Sequence, residues 1–308
     1  MEKAKGNRWM ELNAWNILGA GRTGQTIGVS WEFRRHRTQW AWATWLVLSG
    51  VDSRQAGRRV GRMAASIDCI DRIHNDGPDR PWRTCVVPLA LFLTAGAIEP
   101  TPAGGGIAGA MGIPYIAYPW LHAVRLAATV AMLVSCWPAI YRWVGRPSWW
   151  PPLLGLCLVV PWIMLAGFQR DAGWAVSAIE RSAFDPFAHF GSGSLAAWGF
   201  LFVRGMGLVV VVPIVEELFL RGFLMRYVIR ENFWTVPFGT LTLASAGAST
   251  LYAAFAHPAE AVAAVAWFAV VSGIAAATRR PIDAILAHAA TNLALGAYVL
   301  ATGNWWLV

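Results

Sequence analysis

Long, uninterrupted apolar runs dominate the sequence from about residue 84 onward. A helix needs about 20 apolar residues to cross the hydrocarbon core of a bilayer. A backbone inside lipid must also satisfy its own hydrogen bonds, which leaves only helices or closed barrels. Because these runs are continuous rather than alternating, we predict an all-α fold, a polytopic transmembrane helical bundle of about seven spans. The predicted spans are 84–99, 115–141, 150–168, 196–229, 238–256, 261–277 and 283–301.

The composition points to lipid as the main surface partner. Of the 308 residues, 56% are hydrophobic and 14% are charged, whereas soluble domains are about 45–50% apolar and about 25% charged. So few charges leave too little polar surface to cover a soluble protein. The 19 tryptophans agree, because Trp concentrates at membrane–water interfaces. The formal charge of +8 largely flanks apolar runs, so we predict contact with the lipid bilayer and no nucleic-acid partner.

Residues 1–83 differ from the rest of the chain and form the first predicted unit. They are basic, since residues 1–80 hold 13 of the 25 Lys and Arg residues. Their apolar stretch, 40–51, is too short to span a bilayer. Two explanations stay open: a poorly ordered basic extension, or a start codon assigned too far upstream. Residues 84–308 form the second predicted unit, a transmembrane domain whose motifs lie in 196–308.

Positive charges in the loops predict the orientation. Lys and Arg concentrate in the cytoplasmic loops of membrane proteins, and three arginine pairs fall in alternate loops on the side of the basic N-terminus. We therefore predict a cytoplasmic N-terminus, and seven spans then place the C-terminus outside. The pairs are Arg142 and Arg146, Arg226 and Arg230, and Arg279 and Arg280.

Two adjacent carboxylates lie inside an apolar run, in the segment 211–221. A charge at the bilayer centre costs about 2.5–3.5 kcal/mol, so each group needs a partner or a function. Glu217 and Arg221 are four residues apart and share one helix face, so they can pair. Glu216 points about 100° away from Glu217 and is free to face a polar cavity. A buried ion pair that only fixes helix packing is the alternative interpretation.

Two histidines and an asparagine follow in later spans. His288 and Asn292 are four residues apart on one helix face, so together they suit an oxyanion or a ligand carbonyl. Hydrogen bonding between helices is the alternative for this pair. His257 ends the apolar run before Pro258. It is either a catalytic group or an ordinary polar group at a helix end.

Taken together, Glu-Glu-x-x-x-Arg at 216–221, the histidine at 257 and His-x-x-x-Asn at 288–292 resemble the CAAX-processing membrane proteases. This family comprises the type II CAAX prenyl endopeptidases and their bacterial CPBP relatives, and the resemblance covers about residues 196–308. The tail, 287–303, looks like the bacterial branch associated with exosortase systems. The resemblance implies a hydrolase of the bacterial inner membrane, an endopeptidase that cleaves a membrane-associated protein or peptide, with an exosortase-type sorting system as a partner.

The family's roles carry over to the matching positions of this sequence. The resemblance implies that Glu216 activates the attacking water, with His257 as its partner. It also implies that His288 and Asn292 stabilise the oxyanion, while the carboxylate–arginine pair beside Glu216 holds the architecture of the site. In this glutamate-protease mechanism no metal or other cofactor takes part.

The second family motif is altered in this chain. The family pattern is Phe-x-x-x-His, but the residue four positions before His257 is Ala253, with Tyr252 and Phe255 as the nearby aromatic residues. The difference supports a non-enzymatic alternative, an inactive binding or chaperone module that keeps the fold and uses the cavity for recognition.

Two further functions stay open. A zinc-dependent membrane protease would use Glu216, His257 and His288 as three ligands around an open position, although the sequence lacks His-Glu-x-x-His. A transporter would also place ionisable residues inside the membrane, but no paired repeats favour it.

Helix geometry predicts that not every span is straight. Counted from the arginine side at 1.5 Å per residue, Glu216 and His288 both lie about 15 Å deep, whereas His257 lies about 27 Å deep if its helix starts at residue 239. These groups cannot meet if every span crosses fully. We therefore expect the segment 232–241 to dip inward, so that the fifth span starts later.

Overall fold

The computed structural model describes residues 77–174 and 184–307, and this part of the chain is helical. It contains helices and turns and no strand within those ranges. The predicted all-α polytopic bundle is therefore confirmed. Predictions that concern residues 1–76 and 175–183, including most of the basic extension, lie outside the described residues.

Several of the helices begin with a proline in their first turn, where the missing N–H would have had no partner inside the helix. Single 3₁₀ turns lie between some of them, at Tyr115–Ala117, Phe233–Thr235 and Pro258–Glu260, and another follows the last helix at Trp305–Leu307. In chain order the described helices are α1 Pro81–Cys85, α2 Val87–Gly96, α3 Gly106–Ala110, α4 Tyr118–Trp143, α5 Trp150–Asp171, α6 Pro186–Phe190, α7 Leu195–Tyr227, α8 Leu243–Ala256, α9 Ala261–Thr278 and α10 Pro281–Thr302.

Five described helices, α4, α5, α7, α9 and α10, are long and apolar enough to cross a membrane. The other two predicted spans form shorter helices. The span predicted at 84–99 contains α2, which has 10 residues, and the span predicted at 238–256 contains α8, which has 14. Both fall short of the about 20 residues that a crossing helix needs. Five of the seven predicted apolar runs therefore form helices long enough to cross a bilayer, and the other two form shorter helices.

Large apolar side chains cover the outer faces of the long helices. Trp120 and Val134 on α4, Met164 on α5 and Phe202 on α7 are all more than half exposed. Such a surface would be unfavourable in water. It is favourable in a bilayer, which supports an integral membrane protein.

The six arginines that predicted the orientation mark one end of the bundle, which we call the arginine-rich end: Arg142, Arg146, Arg226, Arg230, Arg279 and Arg280. Of these, Arg226 differs from its predicted loop position, since it lies within α7 and is buried. Its Nε donates to the carbonyl of Val236 at 2.8 Å. Arg226 therefore anchors the segment 231–242 against α7, because a buried guanidinium needs acceptors that this loop supplies.

The close approach of α5 and α10 positions the candidate site. A Cβ on Gly155 would lie 2.2 Å from the carbonyl oxygen of Ala287, so only glycine fits there. The Thr291 hydroxyl donates to the Gly155 carbonyl at 2.7 Å, and it accepts from the Trp267 indole at 3.1 Å. Helices α5, α9 and α10 are thus joined at Thr291, which lies between His288 and Asn292 in the sequence of α10.

Candidate active site

Both glutamates lie on one α-helical stretch of α7, Val212–Phe219, between two π-helical turns. The turns are Gly207–Val211 and Leu220–Leu224. Pro213 contributes to the first turn, because proline has no N–H to donate and its ring clashes with the carbonyl four residues earlier. Widened turns of this kind often occur at functional sites. They change the direction in which the following side chains point.

Glu217 and Arg221 form the buried pair that their spacing predicts. Arg221 Nη1 donates to Glu217 Oε1 at 2.6 Å, and each side chain is 1% exposed. Arg221 Nη2 also donates to the Phe268 carbonyl of α9 at 3.0 Å. His288 Nδ1 lies 3.0 Å from the same Glu217 oxygen. The pair therefore connects α7 to both α9 and α10.

Glu216 faces a different direction from Glu217, as the helix geometry predicts. It lines a cavity of about 500 Å³, and Glu217 does not. Its Oε2 lies 3.9 Å from Nε2 of His288. The Tyr252 side chain of α8 also lies close to the Glu216 carboxyl group. One imidazole ring, that of His288, thus lies between the two adjacent carboxylates.

His288 and Asn292 share one face of α10 and both line the cavity. Asn292 donates one amide hydrogen to the Leu208 carbonyl at 2.8 Å, inside the first π-helical turn. Its second amide hydrogen remains available for a ligand, because an amide nitrogen carries two. The Trp267 ring packs edge-on against His288, with centroids 4.6 Å apart. The pair therefore combines a structural contact with donors that border the cavity.

His257 lines the same cavity as the other three candidate catalytic residues. It follows α8 directly, and its ring packs against Trp162 and Phe268 with centroids 5.7 Å away in each case. The expected change in the fifth span explains this placement. The helix starts at Leu243 rather than 238, and Gly239, with a positive φ of 76°, lies against the α9 backbone.

Gln169 of α5 fixes the turn that follows His257. Its Nε2 donates to the Pro258 carbonyl at 3.2 Å, and its Oε1 accepts from the Val262 amide at 2.9 Å. Gln169 is 2% exposed, so both ends of its amide group are satisfied inside the protein. The same side chain bridges the end of α8 and the start of α9, and it limits where His257 can lie.

The altered second motif has a clear structural outcome. Ala253 is fully buried, while Phe255 points outward and is 80% exposed. Tyr252 packs against Phe219 and Phe268, with ring centroids 5.8 Å away in each case. Tyr252 is therefore the aromatic residue of α8 that reaches the candidate site, one position before the family's phenylalanine.

Geometry does not favour the zinc alternative. In the part of the chain that the structure describes, no three His, Cys, Asp or Glu side chains are grouped so that they could hold a metal ion. Glu216, His257 and His288 border one cavity, but they do not form the compact three-ligand set that a zinc protease uses.

Residues 194–294 match the family model for type II CAAX prenyl endopeptidase Rce1-like proteins. This segment is similar to that family. The Rce1-like segment is about a third of the chain and holds every site residue of the three sequence motifs. The match supports a relationship to the CAAX protease family and the function of a membrane protease. No curated protein and no solved structure matches the chain.

Three residues near the site were not assigned a role from the sequence. Tyr252 was noted only as a nearby aromatic residue, and Trp267 and Gln169 were not singled out. Gln169 lies outside the Rce1-like segment. No sequence signal marked Gln169, because it lies just beyond the predicted span 150–168.

Proposed function

We propose that this protein is an intramembrane endopeptidase that hydrolyses a peptide bond through a water activated by Glu216. The single observation that carries the proposal is that Glu216, His257, His288 and Asn292 border one cavity. These residues come from two different helices, α7 and α10, and from the end of a third, α8. Convergence of ionisable groups inside an apolar bundle is typical of a functional site.

In the proposed reaction Glu216 accepts a proton from water, and the hydroxide adds to the carbonyl carbon of the substrate. The carbonyl oxygen becomes an oxyanion. The proton then passes to the leaving amine as the C–N bond breaks. Glu216 suits this role because it faces the cavity, whereas Glu217 is committed to Arg221. His257 is proposed to orient the water beside Glu216.

His288 and Asn292 are proposed to stabilise the oxyanion. If His288 Nδ1 donates to Glu217, Nε2 can donate to the oxyanion only when the ring carries both protons. The Glu217 carboxylate lies 3.0 Å from Nδ1 and is the acceptor for that donor. The second amide hydrogen of Asn292 supplies the other donor. Glu217 and Arg221 would then hold the oxyanion donors in place rather than react.

The proposed substrate is a membrane-associated protein or peptide that enters the cavity from the bilayer. We further propose that the protein acts in a bacterial inner membrane with a cytoplasmic N-terminus, alongside an exosortase-type sorting system. The orientation rests on the arginine-rich end of the bundle. The exosortase link rests on the resemblance of the tail, 287–303, to that branch.

Replacement of Glu216 by Gln tests the proposal. The substitution keeps shape but removes the base, so we expect cleavage to fall by about 10²- to 10⁴-fold. The full-length protein would be reconstituted in vesicles with a peptide library, and new termini would be identified by mass spectrometry. Glu231→Gln is the matched control, because Glu231 is exposed outside the cavity. Full cleavage by Glu216→Gln would contradict the mechanism.

A further inference from the structure

A second polar cluster borders the same cavity and has no role in the proposed reaction. It consists of Glu99, His122, Arg125 and Arg204. Glu99 follows α2, the next two residues lie near the start of α4, and Arg204 lies on α7. All are away from the arginine-rich end. Three of the four lie outside the Rce1-like segment.

Arg125 is held rigidly on the cavity wall. Its Nη1 donates to Glu99 Oε2 at 2.9 Å, and its guanidinium carbon lies 3.5 Å from the centre of the Phe92 ring. A Cβ on Gly96 would lie 2.7 Å from that guanidinium, so the glycine makes room for it. The Arg125 side chain is 15% exposed and that of Glu99 is 11% exposed. The cation is therefore fixed before any ligand arrives.

The buried donors of this cluster are not all used. Arg125 Nε is buried and has no hydrogen-bond partner among the described residues, and the same is true of His122 Nε2. His122 Nδ1 contacts Glu99 Oε1 at 3.2 Å. An arginine nitrogen always carries its hydrogen, so Arg125 keeps a donor that a ligand oxygen would satisfy. Buried polar groups without a hydrogen-bond partner are rare in proteins, and a bound ligand would explain these two.

Arg204 adds a second positive charge at this end of the cavity. Its Nη1 donates to the Phe184 carbonyl at 2.8 Å, and no carboxylate lies within 4.0 Å of it among the described residues. Phe200, one turn earlier on α7, packs against His122 with centroids 5.8 Å apart. With Glu99 pairing Arg125, the charge of Arg204 is left for an anionic partner.

We propose that this cluster is a subsite that binds a carboxylate of the substrate. The inference rests on the proposed protease function and adds the feature by which substrates are selected. Arginine suits a carboxylate because its planar donors match the two oxygens. The carboxylate comes either from the C-terminus of the substrate or from an Asp or Glu side chain. The cavity then has a binding end at Arg204 and a reacting end at Glu216.

The spacing of the two ends limits where cleavage occurs. Arg204 and Glu216 are twelve positions apart on α7, which is about 18 Å at 1.5 Å per residue. An extended peptide covers about 3.3 Å per residue. The scissile bond should therefore lie about five residues or fewer from the bound carboxylate. If the number of residues between the cleavage site and the nearest free carboxylate showed no preferred value, the subsite would be contradicted.

The experiment compares peptides that differ only in their carboxylates. One library carries a free C-terminus, a second is amidated at the C-terminus, and in a third Asn and Gln replace Asp and Glu. Binding to the full-length Glu216→Gln protein in phosphatidylcholine vesicles is measured, and cleavage positions are mapped with the unaltered protein. We expect at least a tenfold loss of binding when the recognised carboxylate is removed.

The two possible sources of the bound carboxylate, the C-terminus and an acidic side chain, give different results. A loss on amidation alone identifies the C-terminal carboxylate, and a loss only on replacement of Asp and Glu identifies an acidic side chain. Equal binding of all three libraries would overturn the proposal. This comparison uses the native arginines, so it stands even if an arginine variant fails to fold.

Variants of Arg204 make the test specific to the cluster. Arg204→Gln should raise the KM for carboxylate-bearing peptides about tenfold with little change in kcat, and Arg204→Lys should retain most of the preference. Arg230→Gln is the matched control, since Arg230 is exposed at the arginine-rich end. An unchanged preference in Arg204→Gln would contradict the subsite.

Failure of the subsite and failure of the protease function are distinguishable. If only the subsite is wrong, Glu216-dependent cleavage persists without a carboxylate preference. If only the protease function is wrong, the preference in binding persists and no Glu216-dependent cleavage is found.

Discussion

At the scale of single residues, each carboxylate of the adjacent pair has a different environment. Glu217 is enclosed by Arg221 and His288, whereas Glu216 borders the cavity. The difference arises because adjacent helix positions point about 100° apart. One carboxylate is therefore available for structure and the other for chemistry, although the two are neighbours in the chain.

Tyr252→Phe should lower kcat about tenfold, because it removes the hydroxyl beside Glu216 and keeps the ring packed on Phe219 and Phe268. Steady-state cleavage kinetics measure the effect. Phe255→Ala, at an exposed aromatic position on the same helix, is the control and should leave kcat unchanged. Equal rates for Tyr252→Phe and the unaltered protein would show that the hydroxyl does not support Glu216.

Arg221→Met should destabilise the fold by about 3–5 kcal/mol, because it leaves the Glu217 charge buried without its cation. Adding Glu217→Gln should recover part of that loss, since the uncompensated charge is then gone. Thermal or denaturant unfolding in detergent measures both variants. If the double variant is no more stable than Arg221→Met alone, the cost does not come from the unpaired carboxylate.

At the scale of the elements, the site depends on helix contacts that lie outside the Rce1-like segment. Helix α5 contributes Gly155, against which α10 packs, and Gln169, which holds the turn after His257. His288 on α10 and His257 just after α8 are thus both positioned by one neighbouring helix. Their relative position depends on side-chain packing and cannot be deduced from either motif alone.

Gly155→Ala should displace α10 and reduce cleavage at least tenfold, because its Cβ would lie 2.2 Å from the Ala287 carbonyl oxygen. A shift of about 1 Å at catalytic groups is enough for a large loss of rate. Gly167→Ala on the same helix is the matched control, since no atom lies within 4 Å of its Cβ position. Similar activities of the two variants would argue against a required close contact between α5 and α10.

At the scale of the whole molecule, the bundle has two chemically different ends. One is the arginine-rich end, and the other carries the pair of Glu99 and Arg125 near the start of α4. Helix α10 begins beside Arg280 and ends at Thr302, so its two ends belong to opposite sides of the bundle. This relation does not depend on the number of full spans.

The positive-inside rule predicts that the arginine-rich end is cytoplasmic. In a variant without exposed native cysteines, Thr302→Cys should react with a membrane-impermeant maleimide in intact cells. Arg230→Cys should react only after lysis. Both positions are exposed, so accessibility from water is comparable. The reverse labelling pattern would contradict the orientation.

The sequence by itself determined the features that depend on local geometry. Continuous apolar runs predicted membrane helices, and four-residue spacing predicted the contact of Glu217 with Arg221 and the shared face of His288 and Asn292. These results follow because 3.6 residues per turn set the direction of every side chain on a helix. The departure of His257 from a straight span was also predictable, since depth can be counted along a helix.

Only the tertiary structure decided which distant residues meet. The loop 231–242 is anchored by Arg226, and this buried anchor lets a short α8 bring His257 to the cavity. Tyr252 rather than Phe255 lies next to Glu216, because packing against neighbouring helices sets the rotation of α8. The cluster of Glu99, His122, Arg125 and Arg204 spans three segments of the chain. Contacts of this kind depend on how helices pack, and no short sequence pattern encodes them.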